Sequence, residues 1–443
     1  MRFEREQYVN ELIRREKNGL IKIITGMRRA GKSFLMNTLF HEKLLKQGIP
    51  EDQIICFAFD TDEDLDKLLP YLPEEPLKVK DEKGLEKVNA RKFRAYIADQ
   101  TSEKKDYWLL LDEIQELDGF VGTLNGFLRH DNLDVYVTGS NSRMLSSNIE
   151  TEFRGRGSVV HLLPLTFREY CSGLSLSTQD AWKEYIIAGG IPIVARMSSE
   201  NEKNEYLKGL SEESYMKDII ARNHVKEDQK LRELFSVTAS CIGSLMSPYS
   251  LSKTFKSVTG DTISAETIET YLSYFNDGFL TSRASLYSIK GKSYIDSPFK
   301  VYFEDMGVRN AVLNFRQIEE TYIMENIIYN ELRARGYNVD VGQLSVREKT
   351  ENKDKNNKPI YAAKNLEVDF IAALGDDKYY LQSTLNMEDE DKRKNEKRSL
   401  YGINDSFRKL VITRNGLKPS RDEKGIVTMD LFDFLLDPES LKY

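Results

Sequence analysis

Tryptophan (two residues), cysteine (three) and histidine (four) are scarce in this 443-residue chain, and no apolar run reaches the length of about 18 to 20 residues that a membrane-spanning helix needs. Cys56, Cys171 and Cys241 are odd in number and far apart, so neither a disulfide framework nor a metal-ligand pattern is expected, and reduced thiols point to a reducing compartment. His41, His130, His161 and His224 are scattered, which argues against zinc. The start, Met1-Arg2-Phe3-Glu4-Arg5-Glu6, mixes charges where a signal peptide is apolar. A cytoplasmic protein with no membrane partner is the expectation. An excess of base is missing too: Lys and Arg number 64 against 71 Asp and Glu, a net charge of −7. Such a surface is not coated for nonspecific nucleic-acid binding, although one local basic patch is compatible with the total.

What is present is the balance of a globular protein, 40% hydrophobic and 30% charged, over a length that exceeds a single core. The first third alternates short apolar runs with helical periodicity: Ile21 to Ile24, Ile54 to Phe59, Trp108 to Leu111, Val135 to Val137. Runs of that kind, apolar on both faces, indicate a parallel α/β sheet. From Phe167 to about Leu234 the periodicity is helical, broken at Ala188-Gly189-Gly190-Ile191-Pro192. Residues 249 to 294 suggest a helix from Leu251 to Ser257, a turn at Thr259-Gly260-Asp261, a second helix opened by Ser264, and β-like segments, the pattern of a winged helix-turn-helix. Strands are expected again at Val368 to Ala372, Tyr379 to Leu381 and Leu410 to Thr413, and the charged stretch Arg347 to Lys358 reads as an exposed loop. The expected domains are 1–165, 166–235, 236–300 and 301–443.

Gly26-Met27-Arg28-Arg29-Ala30-Gly31-Lys32-Ser33 satisfies G-x-x-x-x-G-K-[ST] between a strand and a helix. Glycines let backbone amides wrap a phosphate, and the helix N-terminus adds partial positive charge. Lys32 reaches the outer phosphates and the Ser33 hydroxyl holds Mg²⁺. Leu109-Leu110-Leu111-Asp112-Glu113 has the Walker B form, in which Asp112 would bind Mg²⁺ through its coordinated water and Glu113 would polarise the attacking water. Val135 to Thr138 leads into Gly139-Ser140-Asn141-Ser142, where Asn141, with Ser140 as competitor, could orient that water or sense the γ-phosphate; loops of this kind also collect Ser and Asn as turn formers.

These motifs, with Leu111 to Gln115, Thr138 to Ser142, Phe153-Arg154-Gly155-Arg156-Gly157 and Leu163 to Tyr170, resemble a widespread prokaryotic AAA+ ATPase family across most of the chain. The resemblance implies a AAA+ core that assembles as a homo-oligomer, binds ATP and Mg²⁺, and offers Arg154 or Arg156 to a neighbouring subunit's γ-phosphate. Those arginines could equally hold the domain's own helices or sense phosphate within the subunit. Gly190-Ile191-Pro192 looks like the element that places a proline near adenine, and a plain helix-terminating turn fits it as well.

The second helix of the helix-turn-helix, Ser264 to Tyr271, carries two Glu and no Lys or Arg, a poor head for reading DNA. The last domain resembles the PD-(D/E)xK nuclease-like fold, with Glu325 on a helix and Glu367-Val368-Asp369 on a strand. An active member needs a second acid and a lysine on the next strand, where this chain has Gln382 and Thr384. A degenerate nuclease fold is expected, with Lys392, Lys394 or Lys397 as the residues that could reach in from the following helix. The sequence therefore reads as an ATP-hydrolysing α/β protein: a AAA+ core with a helical lid, a winged helix and a nuclease-like domain, acting on an unidentified protein client, with DNA weakly supported. Its rivals are a nucleotide-dependent endonuclease and an ATP-holding scaffold without turnover.

Overall fold

The computed structural model describes residues 2–82, 84–139, 153, 155–174, 176–353, 359–387, 390–414, 416 and 418–443. They fall into two units, Arg2–Pro164 and Leu165–Tyr443, apart from the first residue.

In the first unit the apolar runs become five parallel strands: β1 (Ile21–Thr25), β2 (Ile54–Ala58), β5 (Tyr107–Asp112), β6 (Leu133–Thr138) and β7 (Gly157–His161). A separate hairpin, β3 (Lys78–Lys80) and β4 (Glu86–Val88), lies in the Pro-broken segment before β5. The sheet order is β2-β5-β6-β1-β7, so β6 separates the strand that feeds the glycine-rich loop from the one ending in Asp112. Both faces are covered, as parallel sheets require. Ile21, Ile23, Phe57, Leu109, Leu111, Val135 and Val137 join Phe93 and Ile97 of the helix Ala90–Gln100 in one core cluster. On the opposite face Tyr136 meets Phe40 with ring centroids 4.6 Å apart. Lys22, wholly buried within β1, is paired with Asp134 at the start of β6.

The second unit begins with helices from Phe167–Gly173 through Asp228–Ser240, followed by Pro248–Thr259 and Ala265–Asp277. Side-chain caps fix several starts: Thr166 and Glu169 form a reciprocal capping box, and the Ser264 side chain accepts from the Thr267 N–H. The antiparallel hairpin β8 (Thr281–Ser288) and β9 (Ser293–Phe303) comes next. After the helices Met306–Val312 and Glu320–Ala334 follow β10 (Asn338–Lys353), β11 (Pro359–Leu374), β12 (Asp377–Thr384), β13 (Arg408–Thr413), β14 (Ser420–Arg421) and β15 (Val427–Asp430), with the helix Glu390–Tyr401 between β12 and β13. Among the described residues no helix is long and apolar enough to cross a membrane.

β9 runs across residues 300 and 301, and β8 pairs in parallel with β10, so the hairpin and the C-terminal strands make one eight-stranded sheet, β14-β15-β13-β12-β11-β10-β8-β9. The charged stretch from Arg347 is not a loop at its start: Arg347, Glu348 and Lys349 sit in β10 opposite Ala363, Ala362 and Tyr361. Cross-strand hydrogen bonds, with Glu348 paired to Lys364 and Arg398, outweigh the polar composition there. Residues 354–358 lie outside the described residues.

The Gly189-Gly190 break has a specific cause. The Gly190 N–H donates to Asp305 Oδ2 at 2.7 Å, while Asp305 Oδ1 accepts from Val308 N at 2.9 Å and caps Met306–Val312. A Cβ on Gly190 would meet the Leu165 carbonyl oxygen at 2.4 Å. Gly190→Ala is expected to cost about 2 kcal/mol or more of unfolding free energy, read as a lowered melting temperature. Burial pushes the Asp305 carboxyl up to about 6 against the pull of these N–H donors. The folded protein thus keeps a proton there that the unfolded chain has already lost. The associated stability is complete below the unfolded carboxylate pKa of about 4 and is lost as pH rises through about 6. Melts between those values should show that decline, and Asp305→Asn should flatten it.

Candidate nucleotide site

β1 delivers the chain to Gly26, whose φ of 138° and close approach to the Leu162 carbonyl (a Cβ would lie 2.2 Å from that oxygen) leave room for glycine alone. Arg29 (φ 70°) and Gly31 (φ 98°) add left-handed residues to the loop, the conformation from which anion nests are built. Met27 and Ala30 are buried beneath the loop, whereas Arg28, Arg29 and Ser33 are exposed. Lys32 folds back, its ammonium donating to the carbonyls of Gly26 (3.0 Å) and Met27 (3.1 Å). Phosphate oxygens can replace those carbonyls as acceptors when they enter the loop.

Directly after this loop, Leu35–Phe40 is a π-helical turn within an otherwise α-helical run. It carries Asn37, whose amide donates to Asp112 Oδ2 at 3.3 Å and so joins the loop's helix to the end of β5. The Thr138 hydroxyl, at the end of the intervening β6, donates to Asp112 Oδ1 and accepts from the Glu113 N–H at 3.2 Å. Glu113 has a φ of 50°, a left-handed conformation that turns the chain sharply after the strand. The Gln115 amide donates to Glu113 Oε2. Asp60, just beyond β2, completes the acidic rim; burial raises its pKa, and the charges of Glu113 and Asp112 raise it further.

Two side chains at this rim each keep a buried acceptor, Asn37 Oδ1 and Gln115 Oε1, that has no hydrogen-bond partner among the described residues. A bound ligand or its water shell would satisfy them, since a buried unpaired acceptor costs about 1–3 kcal/mol. Asn37, Thr138, Gln115 and Asp60 had no role assigned from sequence. Thr138 and Gln115 stood inside the quoted motifs, and their signal was a polar side chain directly beside a strand-end carboxylate. Asn37 had only its helical position to mark it, four residues beyond Ser33 on the same face.

Of the remaining expected residues, Ser140, Asn141 and Arg154 lie outside the described residues. Arg156 is exposed and donates to Asn125 Oδ1 at 3.2 Å, and its carbonyl accepts from Ile21 N at 2.9 Å. That contact puts it beside the beginning of β1, at the opposite end of the strand from Gly26. Pro192 belongs to the second unit, where it opens the short helix Pro192–Ala195 next to the Asp305 clamp.

Residues 18–171 match a family described as AAA domain. Residues 179–319 match a second, described as a domain of unknown function (DUF8612). Over nearly its whole length the chain is 29% identical to a Haemophilus influenzae protein described as uncharacterized, covering 98% of each. It is 26% identical to the uncharacterized protein MJ1544 of Methanocaldococcus jannaschii over 84% of this chain and 76% of that one. Similar solved structures include the Aeropyrum pernix ORC2 protein in ADPNP–ADP complexes (13% identity, 74% of this chain and 94% of that chain, TM-score 0.35). Another is Cdc6p of Pyrobaculum aerophilum (11% identity, 74% and 95%, TM-score 0.29).

The segment that matches the AAA domain family contains the glycine-rich loop, Asp112 and Glu113. Lys32→Ala should weaken nucleotide binding by about tenfold to a hundredfold, the worth of one charge-assisted contact, in a titration with a fluorescent nucleotide.

Proposed function

We propose that the protein binds MgATP in its AAA domain and hydrolyses it, working as a switch or an oligomeric motor on a protein client. The observation that carries this reading is the network in which Thr138 holds both Asp112 and the Glu113 backbone while Asn37 ties Asp112 to the helix behind the glycine-rich loop. The residues suit MgATP. The cradle from Gly26 to Lys32 presents N–H groups and an ammonium to phosphates, and the Ser33 hydroxyl and Asp112 would hold Mg²⁺. When bound, the ion would neutralise charge that develops on the phosphates. Glu113 accepts a proton from the attacking water, and the Gln115 amide steadies its carboxylate.

The four-part division, with a helical lid at 166–235 and a winged helix at 236–300, belongs to the same reading, and so does a cytoplasmic location. The exposed face of Ala265–Asp277 carries Glu266, Glu269, Thr270 and Ser273, with Glu269 paired to Arg283 of β8 at 2.6 Å, which favours packing against protein over reading of DNA. The nuclease rival loses support from the lysines assigned to rescue it. Lys394 is paired with Glu390 and Lys397 with Asp422, each at 2.9 Å, and Lys392 donates to Asn386. From that helix it is Glu396 whose charge interacts with Asp369.

Glu113→Gln is expected to leave ATP affinity within a few-fold of the parent while phosphate release falls by about 10²–10⁴. Turnover at the parent rate would remove Glu113 from the role of base. ATP binding without phosphate release at any protein concentration would favour the scaffold reading, and nicking of plasmid in the same tubes the endonuclease. Steep dependence of turnover on protein concentration is expected of a site completed by a neighbouring subunit. Arg156→Ala should then be inactive alone and partly rescued by mixing with Lys32→Ala; absence of rescue would leave Arg156 with its contact to Asn125.

A further inference from the structure

Phe299-Lys300-Val301-Tyr302-Phe303, the end of β9, is buried along its whole length, with Lys300 only 1% exposed. A lysine in such a run must carry its ammonium out of water, at a cost of several kcal/mol unless opposite charge meets it. Its Nζ lies 2.8 Å from Glu325 Oε1 on the helix Glu320–Ala334 and 2.5 Å from Glu367 Oε1 on β11. The Tyr302 hydroxyl donates to the same Glu325 oxygen at 2.7 Å. Burial alone would drive the ammonium's pKa down, but Glu325, Asp369 and Glu367 outweigh it and hold the group above the usual lysine range.

In a PD-(D/E)xK nuclease the corresponding acids take a divalent ion; here, with the Lys300 ammonium between them, the pocket does not fit one. Asp369 already accepts from Gln382 Nε2 (2.9 Å), Ser383 N (2.7 Å) and Ser383 Oγ (2.9 Å), so a strand that should supply an acid supplies donors instead. Among the described residues no three carboxylate, imidazole or thiol groups are gathered so that they could hold a metal ion.

We infer that Lys300 is the resident cation of this pocket: its ammonium balances the charge that a divalent ion balances in a cleaving nuclease. The same contacts fasten β9 to the helix Glu320–Ala334 and to β11, so the C-terminal domain keeps a nuclease-like set of acids as an internal ion lock. The lysine arrives from the hairpin β8–β9, not from β12 or the helix after it. This placement is independent of whether the AAA domain turns over ATP.

The test is Mn²⁺ binding to the metal-stripped, nucleotide-free full chain, followed by electron paramagnetic resonance, with parent, Asp369→Asn, Lys300→Met and the double variant compared. Parent and Asp369→Asn should titrate alike, because the pocket takes no ion in either. Lys300→Met leaves the acids without their cation and should gain a Mn²⁺ site at least about tenfold tighter than any Asp369-dependent binding in the parent, and the double variant should lose it. A parent site that disappears in Asp369→Asn would overturn the proposal and make the pocket a metal site. So would a folded Lys300→Met protein with no added site. Should Lys300→Met fail to fold, the comparison of parent with Asp369→Asn decides alone.

Discussion

One hydroxyl sets the geometry on which the candidate nucleotide site depends. Thr138 ends β6, the strand between β1 and β5, and its Oγ1 serves two neighbours at once, donating to the Asp112 carboxylate and accepting from the Glu113 N–H. A donor that is also an acceptor fixes two adjacent residues with a single side chain. Glu113 can therefore keep its left-handed backbone, which would otherwise be a strained conformation for a residue with a Cβ. The strand order β5-β6-β1 matters for the same reason: only a strand interposed between the acidic strand and the loop strand brings a third side chain to the junction. The π-helical turn at Leu35–Phe40 completes the arrangement by carrying Asn37, which donates to the other Asp112 oxygen.

The second unit is organised by buried charge rather than by a glycine-rich loop. Lys300 among Glu325, Glu367 and Asp369, Asp305 among backbone N–H groups, and Arg335 against Glu331 each remove ions from water, and each ion has found partners. Interactions of that kind add little net stability, because desolvation consumes most of the attraction. What they impose is register and mutual placement. Asp305 joins the Gly190 turn to the helix Met306–Val312, and Lys300 joins a hairpin to a helix and a strand that lie later in the chain.

The parts of this architecture visible in the sequence are those whose physics is local. A strand-to-helix turn needs glycine where its backbone takes a positive φ, so the loop from Gly26 to Gly31 announces itself, and a capped helix declares its start at Ser264. Polar composition misled at Arg347 because strand pairing in β10 and β11 is a cross-chain property that no single stretch displays. Lys300 was overlooked for a related reason, since its partners Glu325 and Glu367 come from later elements. Yet it had a signal, a lysine set between Phe299 and Val301 in a run otherwise apolar or aromatic, and Lys22 between Ile21 and Ile23 repeats it with Asp134 as partner. A lysine in a strand buried on both faces requires a carboxylate elsewhere, and searching for that carboxylate is a step sequence reasoning can take.

The same reasoning narrows what Arg156 can do. Its carbonyl accepts from Ile21 at the start of β1, whereas the glycine-rich loop begins after Thr25 at the other end. Five residues of strand separate the two edges by about 16 Å at ~3.3 Å per residue. A guanidinium reaches roughly 7 Å from its own backbone, so Arg156 cannot sense phosphates held by its own loop. That distance favours two of the three roles open from sequence: a tie to Asn125 within the domain, or a group offered to a neighbour whose loop edge packs against this one's opposite edge. The second role requires the sheet's two edges to meet head to tail between subunits, the heterologous contact from which closed rings are made.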